Sequence, residues 1–346
     1  LMSPIMTSLF LSTIAMGTIL TMSSSHWLLA WIGLELNTLA IIPILAKQHH
    51  PRATEATTKY FLTQAAASAV LLFASTTNAW TTGTWDITQL TNDPACIMLT
   101  MALSMKLGLA PLHFWLPEVL QGIPLNTALI ITTWQKLAPI SLLYMTHNAI
   151  HPPILLTMGI LSTLVGGWGG LNQTQTRKIM AFSSVAHLGW MASITTINPN
   201  ILLINLFLYI IMTTTAFMML IYTSSKTIKD LTTSWMISPP TTAMMLILLM
   251  SLGGLPPLTG FVPKWVILQE LTTNHLSMTA TIMALSALLS LFFYLRIAYT
   301  STLTTFPTTT QNTNKWRFSP KSNTTVINLM LLPSILILPM TPMFML

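Results

Sequence analysis

The chain has 346 residues, 52% of them hydrophobic and 6% charged, against about 25% charged in an average soluble domain, so it cannot clothe a water-facing surface. Its net charge of +7 is scattered and no Lys/Arg run exceeds two, which leaves no footprint for nucleic acid. The single cysteine, Cys96, excludes a disulfide framework, a Cys-based zinc site and an iron–sulfur cluster within the chain.

Taken in chain order, apolar segments fall at 3–22, 26–45, 57–79, 95–116, 124–146, 152–171, 178–197, 200–224, 240–272, 276–303 and 324–345. Most approach the ~20 residues that cross ~30 Å of hydrocarbon. The expectation is an all-α polytopic membrane bundle of about eleven transmembrane helices, forming one domain over 1–346. The first segment reads as a span, because no basic residue precedes it and no cleavage site follows. Segments 95–116 and 240–272 contain internal Pro and Gly, so two discontinuous helices are predicted, with backbone groups that neighbours or a cavity must satisfy.

The connections alternate in charge. Lys47, Arg52 and Lys59 flank the second, Arg177 and Lys178 the sixth, Lys226 and Lys229 the eighth, and Lys315, Arg317 and Lys321 the tenth. Odd connections carry no Lys or Arg, and the third holds Asp86 and Asp93. The positive-inside rule puts the even connections and the N-terminus in the inner compartment and the C-terminus outside. Trp27, Trp80, Trp85 and Trp235 are expected in the interfacial belt.

Residues 108–118 read GLAPLHFWLPE and residues 254–264 read GLPPLTGFVPK. At a constant offset they share Gly108/Gly254, Leu109/Leu255, Pro111/Pro257, Leu112/Leu258 and Pro117/Pro263. The motifs lie in the fourth and ninth spans, an odd displacement, so the copies run in opposite directions. An inverted repeat with Pro/Gly-interrupted helices at matching positions points to an ion pathway. Its halves are roughly 1–146 and 152–303, followed by a C-terminal helix at 324–345.

Four charges stand within spans: Glu35, Lys106, Lys136 and Lys264. Each costs roughly 2.5–3.5 kcal/mol at a helix centre before pairing or snorkelling. Packing ion pairs or snorkelling would account for them structurally; a proton relay would account for them functionally. A buried lysine near a carboxylate changes protonation when its partner moves, which makes it a gated proton carrier. His187 and His113 are the natural titrating additions, with a hydrogen-bonding strut as the plainer reading of each. His49 and His50 read as surface residues, and no metal site is expected. Gly166-Gly167-Trp168-Gly169-Gly170 reads as close helix packing, not a nucleotide loop, since no strand precedes it.

The stretch GGWGGLNQTQTRKIMAFSSVAHLGW, 166–190, resembles the signature of the antiporter-like subunits of respiratory complex I, and HWLLAWIGLELNTLAIIP extends the likeness toward the animal mitochondrial form. MKLGLAPLHFWLPEVLQG and SLGGLPPLTGFVPKWVILQEL look like that family's two broken helices. The resemblance implies a proton-pumping membrane-arm module, driven by NADH oxidation and ubiquinone reduction in other subunits. It carries over a Glu–Lys pair, a second Lys and a terminal Lys, which fall here on Glu35, Lys106, Lys136 and Lys264. It also implies no cofactor in this chain, and other membrane-arm subunits and lipids, cardiolipin among them, as partners. The implied location is the mitochondrial inner membrane, with the N-terminus in the matrix and the C-terminus in the intermembrane space. The alternative is a stand-alone cation/proton antiporter of the same fold; a passive scaffold is the third reading. Two departures stand out: the three extra N-terminal helices of longer members are absent, and Gln175 stands where many relatives carry Asp.

Overall fold

The computed structural model describes residues 3–236, 238–303 and 325–341. Their regular structure is helical: α1 Pro4–Ser23, α2 Trp27–Ala46, α3 Pro51–Thr82, α4 Asp93–Leu107, α5 Trp115–Gly122, α6 Leu125–Thr132, α7 Leu137–Met145, α8 Pro152–Gly170, α9 Thr176–Ile194, α10 Pro199–Tyr222, α11 Ile228–Thr233, α12 Pro239–Gly253, α13 Phe261–Thr273, α14 Ser277–Leu303 and α15 Thr325–Leu336. Each apolar segment falls on one helix or on consecutive pieces. Several helices open on proline, whose missing amide costs nothing at a first helical position. By length and apolarity α1, α2, α3, α8, α10 and α14 are each able to cross a membrane alone.

The connections sort to two ends. At one, the Trp27 amide donates to the Trp85 carbonyl at 3.1 Å and the Ile87 amide to that of Ser25 at 3.0 Å, joining the first connection to the third. His151 lies 3.7 Å from Asp93 there, adding the fifth. At the other end, one cavity is lined by Gln48, His50, Arg52, Gln121, Gln175, Arg177 and Lys226, from the second, fourth, sixth and eighth connections. The predicted alternation therefore appears in space, with α4 and α12 entering from opposite ends. The tenth connection, with Lys315, Arg317 and Lys321, lies outside the described residues.

The centre belongs to α9, which packs against α5, α6, α8, α10, α13 and α14. Screened from lipid by these neighbours, it can carry Ser183, Ser184, His187 and Ser193, all buried. Close approach of α8 is set by glycine: a Cβ on Gly166 would stand 2.7 Å from the Ala186 amide nitrogen. At the basic end, Arg177 donates to the Ile123 carbonyl at 2.6 Å, and Arg296 of α14 donates to the Leu171 and Gln173 carbonyls. Such arginines tie down chain ends that leave the helical ladder. The outer surface is apolar, as a lipid- or partner-facing surface must be, with Ile5, Met16, Ile19, Phe73, Trp80 and Trp168 all exposed.

Two expectations change. Trp27 is fully buried in the core beside Leu34 and Leu71, and so is not a belt residue. The segment 124–146 is itself interrupted: α6 ends at Thr132, a 3₁₀ turn covers Trp134–Lys136, and α7 resumes at Leu137. Pro139 explains this, since its ring clashes with the carbonyl four residues back, that of Gln135.

Candidate functional site

In a continuous helix each carbonyl accepts from the amide four residues on. For Leu107 that residue is Pro111, and for Gly253 it is Pro257, neither of which has an N–H. The repeated proline thus orphans the last carbonyl of α4 and of α12 at matching positions. Both helices then turn away through a left-handed glycine, Gly108 at φ 79° and Gly254 at φ 84°. A buried lysine supplies the missing donor in each copy. The Lys136 ammonium donates to the Leu107 carbonyl, and that of Lys264 to the Gly253 carbonyl at 2.8 Å. Gly254 also leaves room for the lysine, since a Cβ there would stand 2.8 Å from Lys264 Nζ.

Around the first break lies a small cavity lined by Asn37, Thr38, Tyr60, Gln64, Lys106, Trp115, Gln135 and Lys136, among others. Its space of about 10 Å³ matches the ~10–15 Å³ that one water needs. The Lys106 ammonium, the Asn37 amide and the Gln135 Nε2 are buried there without a protein partner. Buried polar atoms of this kind are satisfied by water. Lys136 also sits over the Trp115 ring, 5.6 Å from its centroid, an arrangement worth ~0.5–2 kcal/mol to a cation.

Glu35 stands at the rim, half-buried, with its carboxylate accepting from Thr38 Oγ1 at 3.1 Å. Lys106 and Tyr60 lie near it without touching it. The two are not among the direct ion pairs of the described residues, so the expected Glu35–Lys106 pair is a through-space one.

The second cavity is lined by Ser183, Ala186, His187, Trp190, Lys264, Ser290 and Tyr294. His187 faces both the Leu252 carbonyl and Lys264. The sequence-derived residues therefore form two groups, Glu35–Lys106–Lys136 and His187–Lys264. His113 joins neither: it lies on the first break, its ring 4.3 Å from that of exposed Phe114 and its Nδ1 unpartnered. Asn37, Tyr60, Gln135 and Tyr209 are uncharged, and nothing in the sequence alone sets them apart as cavity residues. The nearest signal is Pro139, which turns Gln135 and Lys136 into the cavity wall.

Residues 24–290 match the family described as NADH:quinone oxidoreductase/Mrp antiporter, TM, and residues 291–345 match NADH dehydrogenase subunit 2 C-terminus. The chain is 57% identical over 342 residues to NADH-ubiquinone oxidoreductase chain 2 of Xenopus laevis, covering 99% of each. The chain belongs to the NADH-ubiquinone oxidoreductase chain 2 family. The same protein of Varanus timorensis is 59% identical, again over 99% of both chains. A chain in the solved structure of respiratory complex I from Thermus thermophilus with bound Aureothin is 27% identical, with a TM-score of 0.81 over 98% of this chain and 81% of that one. Chain 2 relatives thus match both the broken-helix region and the C-terminal segment.

Proposed function

We propose that this chain is a proton-translocating subunit of the membrane arm of respiratory complex I. It couples NADH oxidation and ubiquinone reduction, carried out in other subunits, to proton movement along Glu35, Lys106, Lys136, His187 and Lys264. One observation carries the reading: in both copies of the repeat a proline orphans a carbonyl deep in the bundle, and a buried lysine fills the vacancy. A packing device would need no titratable donor at both places; a hydroxyl would do. Protons enter such a path as charge on an ammonium and leave it through the next hydrogen-bonded group.

In this reading the chain holds no redox cofactor of its own, and its partners are the other membrane-arm subunits and membrane lipids, cardiolipin among them. Halves 1–146 and 152–303 act as inverted units within one domain. The basic end faces the mitochondrial matrix, the N-terminus with it, and the C-terminus faces the intermembrane space. His113 serves as a side branch on the first break. Whole-length likeness to chain 2 relatives favours membership of the complex over the stand-alone antiporter.

The test is K106M in the intact complex, reconstituted in sealed liposomes. Fewer protons moved per NADH oxidised, in a complex that still assembles on a native gel, is the expected result. Wild-type proton yield from assembled K106M sinks the relay.

A further inference from the structure

The two cavities are separate, and the proposed path must cross from Lys136 to His187. Between them stands Tyr209, from the middle of α10 and fully buried. Because α6 ends at Thr132, the Lys136 amide turns to the Thr133 carbonyl at 3.3 Å. The Thr132 carbonyl, its regular helical acceptor, instead receives the Tyr209 hydroxyl at 3.0 Å. On its other side the Tyr209 ring packs against that of His187, 5.6 Å between centroids. Ser184, one turn before His187 on α9, neighbours the phenol, and its own hydroxyl donates to the Ala181 carbonyl at 2.7 Å. One turn earlier on α10, Asn205 is buried with its Nδ2 unpartnered. Asn205, Tyr209 and Thr213 thus make a polar stripe along an otherwise strongly apolar helix.

We infer that Tyr209 is the junction of the relay, its hydroxyl passing protons between the Lys136 and His187 cavities. The inference rests on the relay reading above. The step is a concerted exchange. The phenol oxygen takes a proton that left Lys136 Nζ by way of a bridging water, while the phenol's own proton moves through the Ser184 hydroxyl to His187. Lys136 ends neutral, His187 ends as imidazolium, and Tyr209 and Ser184 are unchanged in charge. A phenol suits this place because it can donate and accept at once without adding a charge to a fully buried site, where an ion is costly. If Tyr209 served only to fill space and satisfy the Thr132 carbonyl, its oxygen would matter for packing but not for proton yield.

The experiment compares Y209F, Y209H and K136M in the intact complex in sealed liposomes, reading protons moved per NADH oxidised. Y209F keeps the ring against His187 and removes only the hydroxyl. It is expected to lose the same share of the proton yield as K136M, while Y209H, which restores a transferable proton, regains part of it. Lowered yield in K136M beside wild-type yield in Y209F overturns the junction and leaves the relay standing. Wild-type yield in K136M overturns both. Should Y209F fail to assemble, S184A in the assembled complex decides the matter: a loss equal to that of K136M supports the junction, and wild-type yield overturns it.

Discussion

Pro257 withholds an amide from Gly253, and Lys264 supplies a donor in its place. Replacing Pro257 by Ala returns a backbone N–H that competes for the same carbonyl, while Pro256 still interrupts the helix, so the ammonium no longer holds that acceptor alone. A hydrogen bond from a charged group is worth ~1.5–3 kcal/mol, enough to shift where the lysine rests. P257A is therefore expected to assemble and to move fewer protons per NADH; an unchanged yield would show that Lys264 needs no such acceptor. At this scale the sequence was informative about charges, because a lysine in an apolar run is expensive and conspicuous. It was silent about Asn37, Gln135 and Tyr209. An uncharged polar side chain on one face of a span costs little, and only the fold reveals that it faces another.

Breaks were legible as elements when they carried both Gly and Pro, as at Gly108–Pro111 and Gly254–Pro257. The third, at Thr133, was not, because Pro139 acts several residues upstream of itself. Short α11 shows a different local rule. Thr227 caps it, accepting from the Asp230 amide at 3.3 Å, while the Asp230 carboxylate accepts from the Thr227 amide at 2.9 Å and the Lys226 amide at 3.0 Å, a closed capping box. Partial burial raises the Asp230 carboxyl, but these amides, the Thr227 hydroxyl and the Lys226 charge outweigh it and hold it below its ordinary value. A depressed carboxyl contributes stability that is fully present above the unfolded value, about 4, and is lost as pH falls through the lower folded one. Hydrogen exchange at the Lys226 and Thr227 amides, corrected for intrinsic rates, is expected to quicken as pH drops below about 4. D230N should show no such acid step. T227A should fray the same turn at neutral pH, costing about 1 kcal/mol.

For the whole molecule, alternating charge in the connections was the most transferable signal, and the second, fourth, sixth and eighth connections gather around one cavity. Assigning that end to the matrix predicts that a membrane-impermeant amine reagent labels Lys226 and Lys229 in inverted inner-membrane vesicles and spares them in right-side-out ones; both side chains are exposed. Labelling from the opposite side would reverse the orientation. What composition could not convey is how the two copies differ. Lys264 belongs to α13 and closes the end of α12, the other piece of its own broken helix, so that copy is latched from within. Lys136 sits at the joint of α6 and α7 and closes the end of α4, so the first copy is latched by a neighbour. A tilt of α7 relative to α4 therefore unlatches the first copy alone, whereas the second travels as a closed cartridge. A movement that slides α7 past α4 acts on the lysine latch beside Lys106.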